Sequence, residues 1–151
     1  MLQLALPLFL LASSFTGAPV TWEFTAVPLA DGVYEVRSTA TTEDGWHIYA
    51  TSLENDLGPI PTSIRFTPSK AYTLIGELVE PVPVEEFDPN FEMQVRYHSG
   101  ETVFAQRVKP TADESFVVEG EVEYMVCNDK TCLPPVGVPF RIEVPTDHPK
   151  P

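Results

Sequence analysis

An all-β sandwich is the fold that this 151-residue sequence predicts. Two observations carry it. Apolar and polar residues alternate with period two along most of the chain, the mark of strands with one buried face. In addition, 16 prolines punctuate the sequence, and no stretch longer than two turns keeps a helical apolar stripe free of Pro and Gly. Turn-rich pieces at short spacing, such as Ala30 to Gly32, Gly58 to Pro61 and Ser99 to Gly100, separate the alternating runs. That spacing belongs to a sandwich of antiparallel strands. The length suits one domain with a two-layer core.

The first 18 residues carry no charged side chain, and Leu2 to Ala12 is almost wholly apolar. This is the pattern of a secretory signal peptide, too short to span a bilayer, and it predicts an exported chain that is soluble once residues 1–18 are removed. The first strand follows, with Val20, Trp22, Phe24 and Ala26 on one face. The same beat recurs at Tyr34 and Val36, at Trp46, Ile48 and Ala50, at Ile64 and Phe66, and at Tyr72 and Leu74. Glu80 to Asn90 reads as the one long irregular loop, rich in Pro and acid. Alternation resumes at Phe91, Met93, Val95 and Tyr97, then at Val103 and Ala105. The longest run holds Phe116, Val118, Val122, Tyr124 and Val126, and the last holds Val138, Phe140, Ile142 and Val144. About nine strands result, in a single domain over 19–145 with a Pro-rich flexible tail at 146–151.

The formal charge of −13 lies wholly after residue 18. A chain this acidic lacks the clustered Lys and Arg that phosphate contacts need, so nucleic acid is excluded as a partner, and the acidity reads as a solvated surface. The three histidines are scattered. His47 falls on the polar side of its strand, His98 opens a turn and His148 lies in the tail, so all three read as surface residues. No second ligand pair at tight spacing accompanies the cysteines, which leaves no metal site, and no Gly-rich phosphate loop is present. Neither metal nor organic cofactor is expected.

What remains is the segment from Tyr124 to Pro135, in which Cys127 and Cys132 stand at a strand end with four polar residues between them. In an oxidising compartment the pair can close a disulfide. A ring of about six residues removes little unfolded-state entropy, roughly 2 kcal/mol by the chain-entropy account. A staple joining the two sheets would gain more. Continuing the alternation of Tyr124 and Val126 puts Cys127 off the core face, with its sulfur expected near the surface where an incoming thiolate can attack. Lys130 favours a thiolate slightly and Asp129 opposes it. On these residues alone, an exchanging pair and a structural staple both stand.

The sequence also resembles a known family, the N-terminal periplasmic domain of the DsbD-type thiol:disulfide interchange proteins. The resemblance runs through Gly45-Trp46-His47-Ile48-Tyr49, Gly58 to Phe66, Gly76 through Asp88-Pro89-Asn90-Phe91, Phe104-Ala105-Gln106, Gly120-Glu121-Val122, and Tyr124 to Cys127 with Cys132-Leu133-Pro134-Pro135. It implies an immunoglobulin-like sandwich acting as a protein-disulfide reductase component. Cys127 and Cys132 would be its redox pair, with Cys132 forming the mixed disulfide. Asp88 to Phe91 would be a cap loop with Phe91 as the lid residue, and Tyr49 would line the site. The implied partners are a thioredoxin-like or membrane electron-carrier protein in trans and exported disulfide-bearing proteins, in the periplasm or outside the cell. The alternative is a secreted binding module that keeps its hairpin disulfide as a staple.

Overall fold

The computed structural model describes residues 18–146. The expected signal peptide, apart from Ala18, and the tail beyond Thr146 lie outside the described residues. Eleven strands form the domain: β1 (Val20–Pro28), β2 (Tyr34–Thr42), β3 (His47–Tyr49), β4 (Ser63–Phe66), β5 (Tyr72–Val79), β6 (Val84–Asp88), β7 (Met93–His98), β8 (Glu101–Pro110), β9 (Phe116–Tyr124), β10 (Val126–Cys127) and β11 (Val136–Val144). One layer is the antiparallel sheet β1-β2-β8-β5. The second layer is split into β11-β9-β4 and β10-β3-β7-β6, because a single residue, Met125, interrupts the long ninth strand and hands the chain from one sheet to the other. The result is the expected immunoglobulin-like sandwich.

Alternation fills the space between the layers. Trp22 of β1 packs on Phe104 of β8 and on Tyr124 of β9, with ring centroids 5.9 and 5.5 Å apart. Phe24 stacks on Phe140 of β11 at 4.6 Å. Around these aromatics lie Val36, Ile48, Val108, Val118, Val122, Val126 and Val144, all buried in the same cluster. Rings that each remove a large apolar area from water and meet at offset or tilted angles make this the main stabilising unit of the fold.

Three expectations need correction. The irregular stretch from Glu80 to Asn90 contains strand β6, which pairs with β7 from Val84 opposite Tyr97 to Asp88 opposite Met93. Pro81 and Pro83 just before it and two adjacent glutamates within it disguise it, and it can hold the glutamates because it is an edge strand with its side chains mostly exposed. In β8 the buried face is Thr102, Phe104, Gln106 and Val108, so Val103 and Ala105 point away from the main core. Leu74 is half exposed, since β5 is also an edge strand and its register shifts beside Gly76. The extra strands are therefore β6 and β10.

Candidate active site

Strand β10 pairs with β3, placing Val126 opposite Ile48 and Cys127 opposite His47. Val126 and Ile48 face the main core. Cys127 and His47 consequently share the other face of the sheet, because residues directly opposite in an antiparallel pair project to the same side. The chain then turns through Asn128 to Thr131. The Asn128 backbone N–H donates to the Thr131 carbonyl at 2.9 Å, and its side-chain Oδ1 accepts from the backbone N–H groups of Lys130 and Thr131 at 2.9 and 2.8 Å. Asparagine is suited to this post because its short amide closes a turn on the backbone just ahead of it. The turn brings Cys132 back opposite Cys127, with Cα atoms 4.0 Å apart and the disulfide closed between them.

The off-core face of the sheet is also covered. Tyr49, Val95 and Cys127 form a second buried cluster, against which Leu53, Phe91, Met93, Tyr97, Met125 and Cys132 pack. The expectation of a surface sulfur at Cys127 is thus overturned: the residue is 0% exposed, whereas Cys132 is half-buried. Alternation placed Cys127 on the correct face, and a loop from elsewhere in the sequence dries that face. Gly58 makes room for the packing, since a Cβ there would overlap the Met93 sulfur.

The cover is the segment Asp88 to Glu92. Asp88 Oδ1 accepts from the backbone N–H groups of Asn90 and Phe91 at 2.7 and 3.3 Å, and the Glu92 N–H donates to the Asp88 carbonyl at 2.8 Å. Glu92 adopts a positive φ of 54°, which reverses the chain into β7. Phe91 meets the edge of Tyr49 at a centroid distance of 6.3 Å. Asn90 Nδ2 donates to the Asn128 carbonyl at 3.0 Å and so ties the cover to the cysteine turn.

Asp88 is buried and serves both ends of this arrangement. Its Oδ2 accepts from the Tyr49 hydroxyl at 2.6 Å, and His47 Nε2 lies 3.1 Å from that hydroxyl and 3.9 Å from Oδ2. Tyr49 is itself fixed through its carbonyl, which accepts from Thr62 Oγ1 at 2.5 Å. Burial, reinforced by the bond to Asp88, pushes the Tyr49 phenol far above its ordinary range, so it remains a donor. His47 is lowered by burial, which outweighs the opposing pull of Asp88, Asp129 and Glu86. Beside it, Tyr97 donates to Glu86 at 2.8 Å and is pushed up to about 12, by burial first and then by that carboxylate. A cavity of about 40 Å³ opens between His47, Asp88, Asn90, Tyr97 and Asn128, room for about one water.

Tyr49, Asp88 and Phe91 therefore lie together with the disulfide. The sequence reading missed His47, which it took for a surface residue, and gave no role to Asn128 or to Asn90 within the cap loop. The available signal for His47 was its place two residues before Tyr49 on one short strand, hence on the same face. His98 was misread too: it is buried on the core side of β7, its ring edge-on to Phe104 at 5.7 Å and its Nε2 2.9 Å from Glu80. Among the described residues no cluster of three or more His, Cys, Asp or Glu is disposed to hold a metal ion, and no helix is long and apolar enough to cross a membrane.

Fold and site together define an immunoglobulin-like β-domain built around one enclosed, short-loop disulfide. The chain belongs to the family of the N-terminal domain of the thiol:disulfide interchange protein DsbD, which matches residues 18–142. Among solved structures it is similar to the N-terminal periplasmic domain of ScsB from Proteus mirabilis, at 16% identity and a TM-score of 0.60, over 88% of this chain and 49% of that one. The chain thus spans about half of that ScsB structure. It is also similar to the reduced DsbD N-terminal domain of Neisseria meningitidis, at 19% identity and a TM-score of 0.54, over 81% of this chain and 85% of that one. A chain of the complex between the DsbD and PilB N-terminal domains of the same organism matches at 19% identity and a TM-score of 0.52, over 83% and 87%. At these identities the likeness establishes the fold. No curated protein sequence matches the chain.

Proposed function

We propose that this domain carries out thiol–disulfide exchange with partner proteins, cycling Cys127 and Cys132 between disulfide and dithiol and passing reducing equivalents through them. The observation that carries this reading is the unequal burial of the two sulfur-bearing residues, with Cys127 enclosed and Cys132 half-buried behind a single loop. An incoming thiolate that displaces the loop attacks Cys132, forms a mixed disulfide and expels Cys127 as the leaving thiolate. The partner's second thiol then resolves the mixed disulfide. The same steps reversed reduce a partner instead.

Phe91 acts in this reading as the lid, Asp88 as the anchor of the loop and Tyr49 as the wall. The partners are thioredoxin-like or membrane electron-carrier proteins and exported disulfide-bearing proteins, met in the periplasm or outside the cell by a domain that spans 19–145 after loss of an export signal at 1–18. Family membership supports this, as does the DsbD–PilB complex for the relative it describes. A purely structural staple has less in its favour, because the bond spans one hairpin and does not join the two layers.

A redox titration with a thiol-alkylation readout tests the proposal. A potential above about −300 mV is expected, and one well below that range of resistant structural bonds overturns it. The Cys127→Ser variant, isolated from its native envelope, should carry a mixed disulfide through Cys132. Recovery of that variant with no adduct contradicts the assignment.

A further inference from the structure

Cys132, Cys127 and His47 form a row across three adjacent chain segments, linked by successive antiparallel bridges, so all three side chains stand on the covered face of the sheet. Directly paired residues have Cβ atoms about 5 Å apart, which makes His47 the cross-strand neighbour of the enclosed sulfur. When the disulfide opens, Cys127 becomes a thiolate inside the protein, and a buried charge without a proton or a counter-ion is costly. The groups around it offer little help. Asp88 at the end of β6, Glu86 on the same strand and Asp129 in the cysteine turn repel negative charge, Tyr49 and Tyr97 keep their protons, and Lys130 is exposed in the turn.

The hydrogen bonds select the state of the imidazole. Tyr49 has one hydroxyl proton, and at 2.6 Å it goes to Asp88, so the contact from His47 is an Nε2–H donated to the Tyr49 oxygen. Nδ1 then carries the lone pair, and no hydrogen bond from the described residues occupies it. The side chain is 14% exposed, enough to trade protons with water.

We propose, building on the exchange reading above, that His47 is the proton partner of Cys127. In the opening step the partner's thiolate bonds to Cys132 Sγ, the Cys127–Cys132 bond breaks and its electron pair stays on Cys127. His47 takes a proton from water at Nδ1 as charge develops on that sulfur, passes it to the sulfur and is neutral again. In the closing step the Cys127 thiol returns the proton to His47, and the thiolate attacks Cys132 Sγ. The mixed disulfide then breaks, with its electron pair leaving on the partner's sulfur. No net electron comes from His47 in either direction.

The test is the pH dependence of the thiolate of a lone Cys127, followed by its rate of alkylation in Cys132→Ser and in Cys132→Ser/His47→Gln. Glutamine keeps an N–H that can reach the Tyr49 hydroxyl but cannot carry the proton. Loss of His47 should lower the alkylation rate about tenfold below pH 6.5, where the imidazolium forms, and leave it nearly unchanged at higher pH, where the ring is neutral. A purely structural role would lower stability and shift the rate equally at every pH, which overturns the proposal. If the double variant does not fold, NMR titration of His47 in the wild-type protein decides. Coupled titration with Cys127 is expected in the reduced form and a single step in the oxidised form. Identical His47 titration in both forms refutes the role. Neither measurement involves a partner protein, so a failed mixed disulfide and a failed proton partnership are told apart.

Discussion

On the core face of the β10-β3-β7-β6 sheet, Ile48 and Val126 are covered by an entire opposing layer of strands. On its other face, Cys127 and Tyr49 are just as dry, yet five residues from Asp88 to Glu92 form much of the cover. The difference lies in what must move to admit water. Exposing Ile48 requires the sandwich to come apart, whereas exposing Cys127 requires one loop to lift, breaking the Tyr49–Asp88 and Asn90–Asn128 hydrogen bonds and the Phe91 packing. Equal burial therefore conceals unequal opening energies, and local opening of the second kind falls well below the cost of global unfolding.

Mutations on the two faces should separate these energies. The largest stability loss is expected from Phe104→Ala in the main core, about 3–5 kcal/mol in urea denaturation. Its disulfide should be reduced by a small dithiol at nearly the wild-type rate under conditions where the variant stays folded. Phe91→Ala should do the reverse, costing about 1–2 kcal/mol of stability while speeding reduction about tenfold. If the reduction rates of the two variants instead track their global stabilities, the two faces open together and the distinction fails.

Asp88→Asn probes the loop's anchor. It weakens a charge-assisted acceptor for Tyr49 and for two backbone N–H groups, so about 1–3 kcal/mol should be lost and reduction should again accelerate. An unchanged reduction rate in a destabilised Asp88→Asn protein would mean that the loop is held by its apolar contacts alone.

The smallest effect is the pH response of the covered face. The folded state holds His47 below its ordinary 6.5, so it favours the neutral ring. The stability linked to this is fully present above 6.5 and is lost as pH falls through the folded value. Relative to wild type, His47→Gln should lose less stability between about pH 7 and pH 5 in parallel denaturation curves. Parallel pH profiles for the two proteins would show that the ring contributes nothing to this response.

Much of the sandwich was legible because most strands obey a local rule, with one face buried against the opposite layer. Phe116, Val118, Val122 and Tyr124 are the clearest instance, and all four lie in the main core. The rule failed where both faces carry apolar residues, as in β8, where Val103 and Ala105 competed with Phe104, and at edge strands such as β6 whose side chains need no apolar pattern. The site divides in the same way. Two cysteines across a polar turn are visible in any reading, and Tyr49, Asp88 and Phe91 came from resemblance. The burial of Cys127, and with it the importance of His47, depends on a loop some 40 residues from either strand end, which no local periodicity can report. β7 shows the cost plainly: Met93, Val95 and Tyr97 alternate as a core strand should, but the cluster they face is the covered disulfide, and it is His98 that points to the main core.

The bond from Asn90 to the Asn128 carbonyl ties the covering loop to the turn that carries the cysteines. If a change in that turn on reduction loosens the loop, reciprocity requires that a partner holding the loop open shift the free energy of reduction by the same amount. A docking protein would thereby set the potential at which this disulfide gives way, so that recognition and driving force become a single quantity.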